Sequence, residues 1–105
     1  MALQFNDASA KEAIESGKVV VIDFWANWCG PCIAMGPVVD ELAEKYGEQA
    51  VIGKLNIDEE SEIVSEYRVR SIPTILFFKN GEVVDRSVGK VKYSELESKL
   101  LPLLG

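Results

Sequence analysis

The only two cysteines of this chain stand three positions apart in Trp28-Cys29-Gly30-Pro31-Cys32, and the sequence contains no histidine. Two thiols at that spacing can close a small disulfide and open it again by thiol–disulfide exchange. A structural staple is a poor account of them. A cross-link that closes four residues removes roughly 2 kcal/mol of chain entropy, against about 4.7 for a 100-residue loop. A zinc half-site is also weak, because two cysteines without histidine leave the ligand set to carboxylates or a second chain. Covalent haem attachment needs histidine directly after the second cysteine, where Ile33 stands.

Asp23 is the second residue with chemistry to offer. It interrupts the apolar run Val19-Val20-Val21-Ile22-Asp23-Phe24-Trp25. An ionised carboxylate is costly to bury, so its pKa is expected to rise. Such a group can take the proton of Cys32 when that thiol attacks, through water, since a strand residue sits deeper than a helix tip. The plainer alternative is a carboxylate that reaches solvent at the strand end. With no histidine to act as base, the functional reading is preferred.

Elements of definite type must position these groups. Lys18 to Trp25, β-branched and aromatic, reads as a central strand buried on both faces. Pro31 to Tyr46 reads as a helix through Met35, Val38, Val39, Leu42 and Tyr46, kinked at Pro37 and ended by Gly47. Pro31 suits a first helical turn, so both cysteines fall at a helix N-terminus beyond the carboxyl end of a strand. Unpaired N–H groups and the helix dipole favour an anion there, and the thiolate is the attacking form. Cys29, at the lip, is expected to be the nucleophile, and Cys32, one turn inward, the resolving thiol.

The remaining pattern supplies the frame. Leu3 to Phe5 reads as a short strand, with Asn6 and Asp7 as caps for a helix bearing Ala10, Ala13 and Ile14 and stopped at Gly17. Val51 to Ile57 is a strand, Glu59 to Tyr67 a short helix and Thr74 to Phe78 a strand. Asn80-Gly81 signals a two-residue hairpin into Glu82 to Val88. Ser94 and Glu97 suggest a capping box for a last helix bearing Leu96, Leu100 and Leu101, which Pro102 is expected to terminate. The order β-α-β-α-β-α-β-β-α predicts an α/β fold, a mixed five-stranded central sheet with helices on both faces.

Composition narrows the partners. The chain of 105 residues, 48% hydrophobic, is expected to form a single domain over 1–105 with a core that needs no staple. A net charge of −6 without any basic tract argues against nucleic acid and anionic membranes. No apolar stretch approaches the roughly 20 residues that span a bilayer. The segment from Met1 to Asp7 has neither the basic nor the hydrophobic region of a signal peptide, so a reducing compartment, the cytoplasm, is expected.

Several further segments fall in register with one family. Asp23 through Cys32, Pro37, Lys54, Ile72-Pro73-Thr74, Phe78-Lys79-Asn80-Gly81 and Val88-Gly89 resemble thioredoxin over essentially the whole chain. The resemblance implies the thioredoxin fold and a general protein-disulfide reductase. Disulfide-containing proteins would be its substrates, an NADPH-dependent thioredoxin reductase its partner, and a monomer its working form. No cofactor and no metal are implied. It assigns attack to Cys29, resolution to Cys32 and proton acceptance to Asp23 with Lys54 nearby. It also implies a cis Pro73 facing the dithiol. Trp28, Gly30, Pro31, Ile72 and Gly89 would line a shallow docking surface, with the Ile72 backbone pairing to the substrate. Trp25 is expected in the core.

Three positions depart from the family pattern. Ile33 stands where a basic residue is usual, Gly36 where many members carry a larger one, and Pro102 lies in the last helix. Gly30-Pro31 places no charge between the cysteines, so the disulfide is expected to be comparatively stable and the protein a reductant. The competing readings are an oxidase or isomerase of exported proteins, and a docking subunit that uses the fold without redox turnover.

Overall fold

A computed structural model describes residues 1–105. The elements follow in the order β1 (Leu3–Gln4), α1 (Asp7–Glu15), β2 (Val20–Trp25), α2 (Gly30–Tyr46), β3 (Val51–Asn56), α3 (Glu62–Glu66), β4 (Thr74–Lys79), β5 (Glu82–Val88) and α4 (Tyr93–Leu104). They form one five-stranded sheet of order β1-β3-β2-β4-β5. β1, β3 and β2 run parallel, and β4 and β5 pair antiparallel beyond β2. The mixed sheet covered on both faces is therefore as the pattern indicated.

Strand alternation sorts the core into two layers. On one face Val21, Ile52, Ile75 and Phe77 pack with Met35, Val39 and Leu42 of α2 and Leu96 and Leu100 of α4. On the other, Val20, Ile22, Phe24, Leu55, Leu76 and Phe78 pack with Ala10 and Ile14 of α1 and Ile63 of α3. β2 is the middle strand and is buried along nearly its whole length. Its odd-numbered residues face α2, and Asp23 is one of them.

Local chemistry explains the joints. The hairpin between β4 and β5 turns at Asn80 (φ 56°) and Gly81 (φ 83°), the paired left-handed conformation that this dipeptide tolerates. Asn6 caps α1 through its side chain, which accepts from the Ser9 N–H at 2.7 Å. Asp7 does something else. Its carboxylate accepts from the Glu62 and Ile63 N–H groups at 3.2 and 3.0 Å and so caps α3, whose own N-cap Ser61 offers no side-chain bond.

Two expectations at the C-terminus fail. Pro102 lies inside α4 instead of ending it. The last turn is held by packing: Leu103 and Leu104 lie against the core, and the Leu103 carbonyl accepts from Lys79 Nζ at 2.8 Å. Ser94 and Glu97 form no capping box, because α4 begins two residues earlier with Lys92 as N-cap. Glu97 Oε2 instead accepts from the Tyr46 hydroxyl at 2.6 Å and Lys45 Nζ at 3.0 Å, tying α4 to α2. The third helix is also shorter than expected. Asn56 holds Asp58, Glu59 and Glu60 in a turn before it. α2, by contrast, runs through Pro37 unbroken.

Candidate active site

Cys29 is the N-cap of α2, with extended backbone (φ −96°, ψ 105°) and Pro31 in the first turn. Its Sγ accepts from the Cys32 N–H at 3.2 Å, so a sulfur occupies the place usually taken by a capping oxygen. Cys29 and Cys32 are joined in a disulfide, with their Cα atoms 5.2 Å apart. Cys29 is 6% exposed and Cys32 2%, which keeps the order of lip and interior. Gly30 and Pro31 lie exposed between them.

The dithiol sits in a small apolar setting. Ala26 packs with both cysteines, and Trp25, Ile57 and Ile72 border the group. The Ile72–Pro73 peptide bond is cis. Pro73 is buried, and its carbonyl accepts from the Gly89 N–H at 2.8 Å, with Gly89 at φ 87°. Ile72 is half-buried, and neither its N–H nor its carbonyl has a backbone partner. Trp28 is 69% exposed and its indole N–H donates to Asp58 Oδ2 at 2.9 Å.

Asp23 lies beneath. It is 1% exposed, and its Oδ1 has no hydrogen-bond partner. Burial pushes its carboxyl up from 3.8 to about 7; the Lys54 ammonium pulls the other way and Asp40 adds to the rise. A cavity of about 190 Å³ joins Asp23 to Cys32, lined also by Gln4, Trp25, Ile33, Gly36 and Lys54. Space for water next to an unpartnered carboxyl and the inner cysteine is what a relayed proton transfer between them needs. Trp25, expected in the core, is half-buried and lines this cavity instead. A strand's last residue projects past the packed layer, which run composition does not reveal.

Lys54 stands next to Asp23 in register across β2 and β3. Its ammonium nevertheless pairs with Asp40 Oδ1, at 3.2 Å. Asp40 is the residue that sequence reasoning missed. The available signal was spacing: Cys32, Gly36 and Asp40 recur every fourth residue along α2, one stripe of a helix. No group of three or more His, Cys, Asp or Glu side chains is arranged to hold a metal ion. No helix is long and apolar enough to cross a membrane.

A disulfide closed across the first turn of a helix, after a central strand and over a buried carboxyl, defines a thiol–disulfide oxidoreductase site. The thioredoxin family model matches residues 1–101, and the chain belongs to the thioredoxin family. It is 47% identical over 89 residues to the thioredoxin of Chlorobaculum thiosulfatiphilum, covering 85% of this chain and 82% of that protein. It is 46% identical over 101 residues to thioredoxin 1 of Synechococcus elongatus, covering 95% and 94%. The crystal structure of Malassezia sympodialis thioredoxin superposes with a TM-score of 0.91 at 36% identity, over 100% of this chain and 92% of that one.

Proposed function

We propose that this chain is a general protein-disulfide reductase that cycles between the Cys29–Cys32 dithiol and disulfide. The observation that carries this is the closed Cys29–Cys32 disulfide at the N-terminus of α2, with Asp23 buried below it. In the reduced protein the Cys29 thiolate attacks one sulfur of a substrate disulfide. That S–S bond breaks, a Cys29–substrate mixed disulfide forms, and the other substrate sulfur leaves as a thiolate. Cys32 then gives its proton to Asp23 and attacks Cys29 Sγ. The mixed disulfide breaks, the second substrate thiolate departs, and the Cys29–Cys32 bond closes. Two electrons pass to the substrate, which ends as a dithiol after taking up two protons.

The supporting residues follow from their positions. Helix N–H groups and the α2 dipole favour the Cys29 thiolate. Ile72, with its free backbone groups, suits pairing with an extended substrate segment. Pro73 holds that segment's path beside the dithiol. Trp28, Gly30, Pro31 and Gly89 form the rest of the docking surface. Lys54 acts on Asp23 through charge.

A reductant of this kind must be recharged, and an NADPH-dependent thioredoxin reductase is the partner we assign. The cytoplasm, where disulfides are kept reduced, is the compartment that suits it. It works as a monomer of one domain.

The test is reduction of a model protein disulfide driven by NADPH and a flavoprotein thioredoxin reductase. Turnover is expected in the intact protein and absent in both Cys29→Ser and Cys32→Ser. Cys32→Ser is further expected to accumulate the mixed disulfide, and Cys29→Ser not to. Partner binding without turnover in the intact protein would overturn the reductase reading in favour of a docking subunit.

A further inference from the structure

Asp23 and Lys54 are in-register neighbours on parallel strands, so their side chains leave the same face of the sheet. A lysine in that place has the reach to pair directly with the carboxyl. It does not: the structure holds no Lys54–Asp23 ion pair, and Asp23 Oδ1 stays without a partner. The ammonium is held by Asp40 Oδ1 of α2, which also accepts the Ala2 N–H at 3.0 Å. Two donors, one from β3 and one from the segment before β1, thus fix that oxygen. Lys54 is 14% exposed in its side chain and Asp40 28%, so the pair is only partly screened by water.

The path of the lysine is also built. Cys32, Gly36 and Asp40 form one stripe along α2, over Asp23 and Lys54. A Cβ built on Gly36 would lie 3.6 Å from Lys54 Nζ, so the ammonium passes close over the bare backbone on its way to Asp40. Partial burial pushes the Asp40 carboxyl up, but the Ala2 N–H and Lys54 outweigh it and hold Asp40 below the ordinary range. The charged groups that face Asp23 are Lys54 from β3 and Asp40 from α2; β4 offers Ile75 and β1 the neutral Gln4.

We propose that Asp40 is a positioning residue for the proton acceptor: it draws the Lys54 ammonium away from Asp23 and leaves that carboxyl without a cationic partner. The consequence is an Asp23 carboxylate with enough proton affinity to take the Cys32 proton in the neutral range. This rests on the reading of Asp23 as acceptor for Cys32. Neutralising Asp40 would free Lys54 to turn to its strand neighbour, and Asp23 would then ionise at lower pH.

The test is NMR titration of the Asp23 side-chain carboxyl in the oxidised protein. The variants are Asp40→Asn, Asp40→Ala, Asp40→Glu, Lys54→Met and Asp40→Asn with Lys54→Met. Asp40→Asn and Asp40→Ala are each expected to lower the midpoint by about one pH unit, a tenfold loss of proton affinity. Asp40→Glu is expected to restore it, and the Lys54→Met background to remove most of the Asp40→Asn shift. An unmoved midpoint in either neutral variant, or an equal shift with Lys54 absent, would overturn the proposal. The titration needs no turnover. An Asp23→Asn variant that resolved mixed disulfides at the wild-type rate would instead overturn the acceptor role.

Discussion

The Trp28 indole N–H donates to Asp58 Oδ2 across thirty residues of sequence, binding the lip of the dithiol to the turn after β3. That bond fixes a largely exposed ring which nothing else encloses. A hydrogen bond to a charged group contributes about 1.5–3 kcal/mol, the lower part of that range applying at an exposed site.

Asp58→Ala is therefore expected to loosen the ring without touching the chemistry. KM for a protein disulfide should rise roughly five- to tenfold, the equivalent of about 1–1.4 kcal/mol, with kcat little changed. Steady-state kinetics with the reductase-coupled system checks this. A fall in kcat at unchanged KM would contradict the docking role of Trp28.

Asp23 makes the fold less stable as pH rises. Its carboxyl titrates near 7 when folded and near 3.8 when unfolded, so between those values the folded chain holds the extra proton. Stability is then full below about 4, falls across that window and levels off above 7. Asp23→Asn should match the wild type at pH 3 and exceed it by about 2–4 kcal/mol at pH 9. Denaturant unfolding at the two pH values measures the difference. The same variant should lose the rise in mixed-disulfide resolution that the wild type shows through pH 7.

Asp7 acts in the opposite direction. Burial raises its carboxyl, but N–H groups of Ile63, Glu62 and Ser61 and contact with Glu60 outweigh it and hold it below the ordinary range. Its contribution is present at neutral pH and lost as pH falls through the carboxylate range. Asp7→Ala removes a helix cap and is expected to cost about 1 kcal/mol at pH 7, measured by denaturant unfolding, and much less at pH 3.

Ile33 is 55% exposed beside Cys32 and borders the cavity. Ile33→Lys would place a cation near the sulfurs and favour the thiolate form. An exposed charge contributes about 0.5 kcal/mol, so the potential should rise by on the order of 10 mV. Equilibration with glutathione measures it.

The sheet, the helix after β2 and the cysteine positions were legible because each rests on local pattern: a β-branched run, a 3.6-residue period, proline at a helix start. Asp23 announced itself as a charge among apolar neighbours. Asp40 did not, since a carboxylate on a half-exposed helix face looks like any solvated one until β3 brings Lys54 beneath it. Asp7 read as a cap for the helix it begins, and only the packing of α1 beside α3 turns it to Ile63. The end of α4 misled in the same way. Pro102 lacks an N–H and by local rule stops a helix, but Leu103 and Leu104 pack against the core and carry the last turn past it.

Cys29 caps α2 with the same sulfur to which we assign the attack. Once that sulfur is bonded to a substrate, the Cys32 N–H shares its acceptor with a foreign chain, and the opening turn of α2 loses part of its anchorage. Fraying there would carry Cys32 toward the bond it must break. The first chemical step is thereby expected to loosen the turn it starts from, and amide exchange at Cys32 should be faster in the trapped mixed disulfide than in the closed disulfide, where the cap is intact.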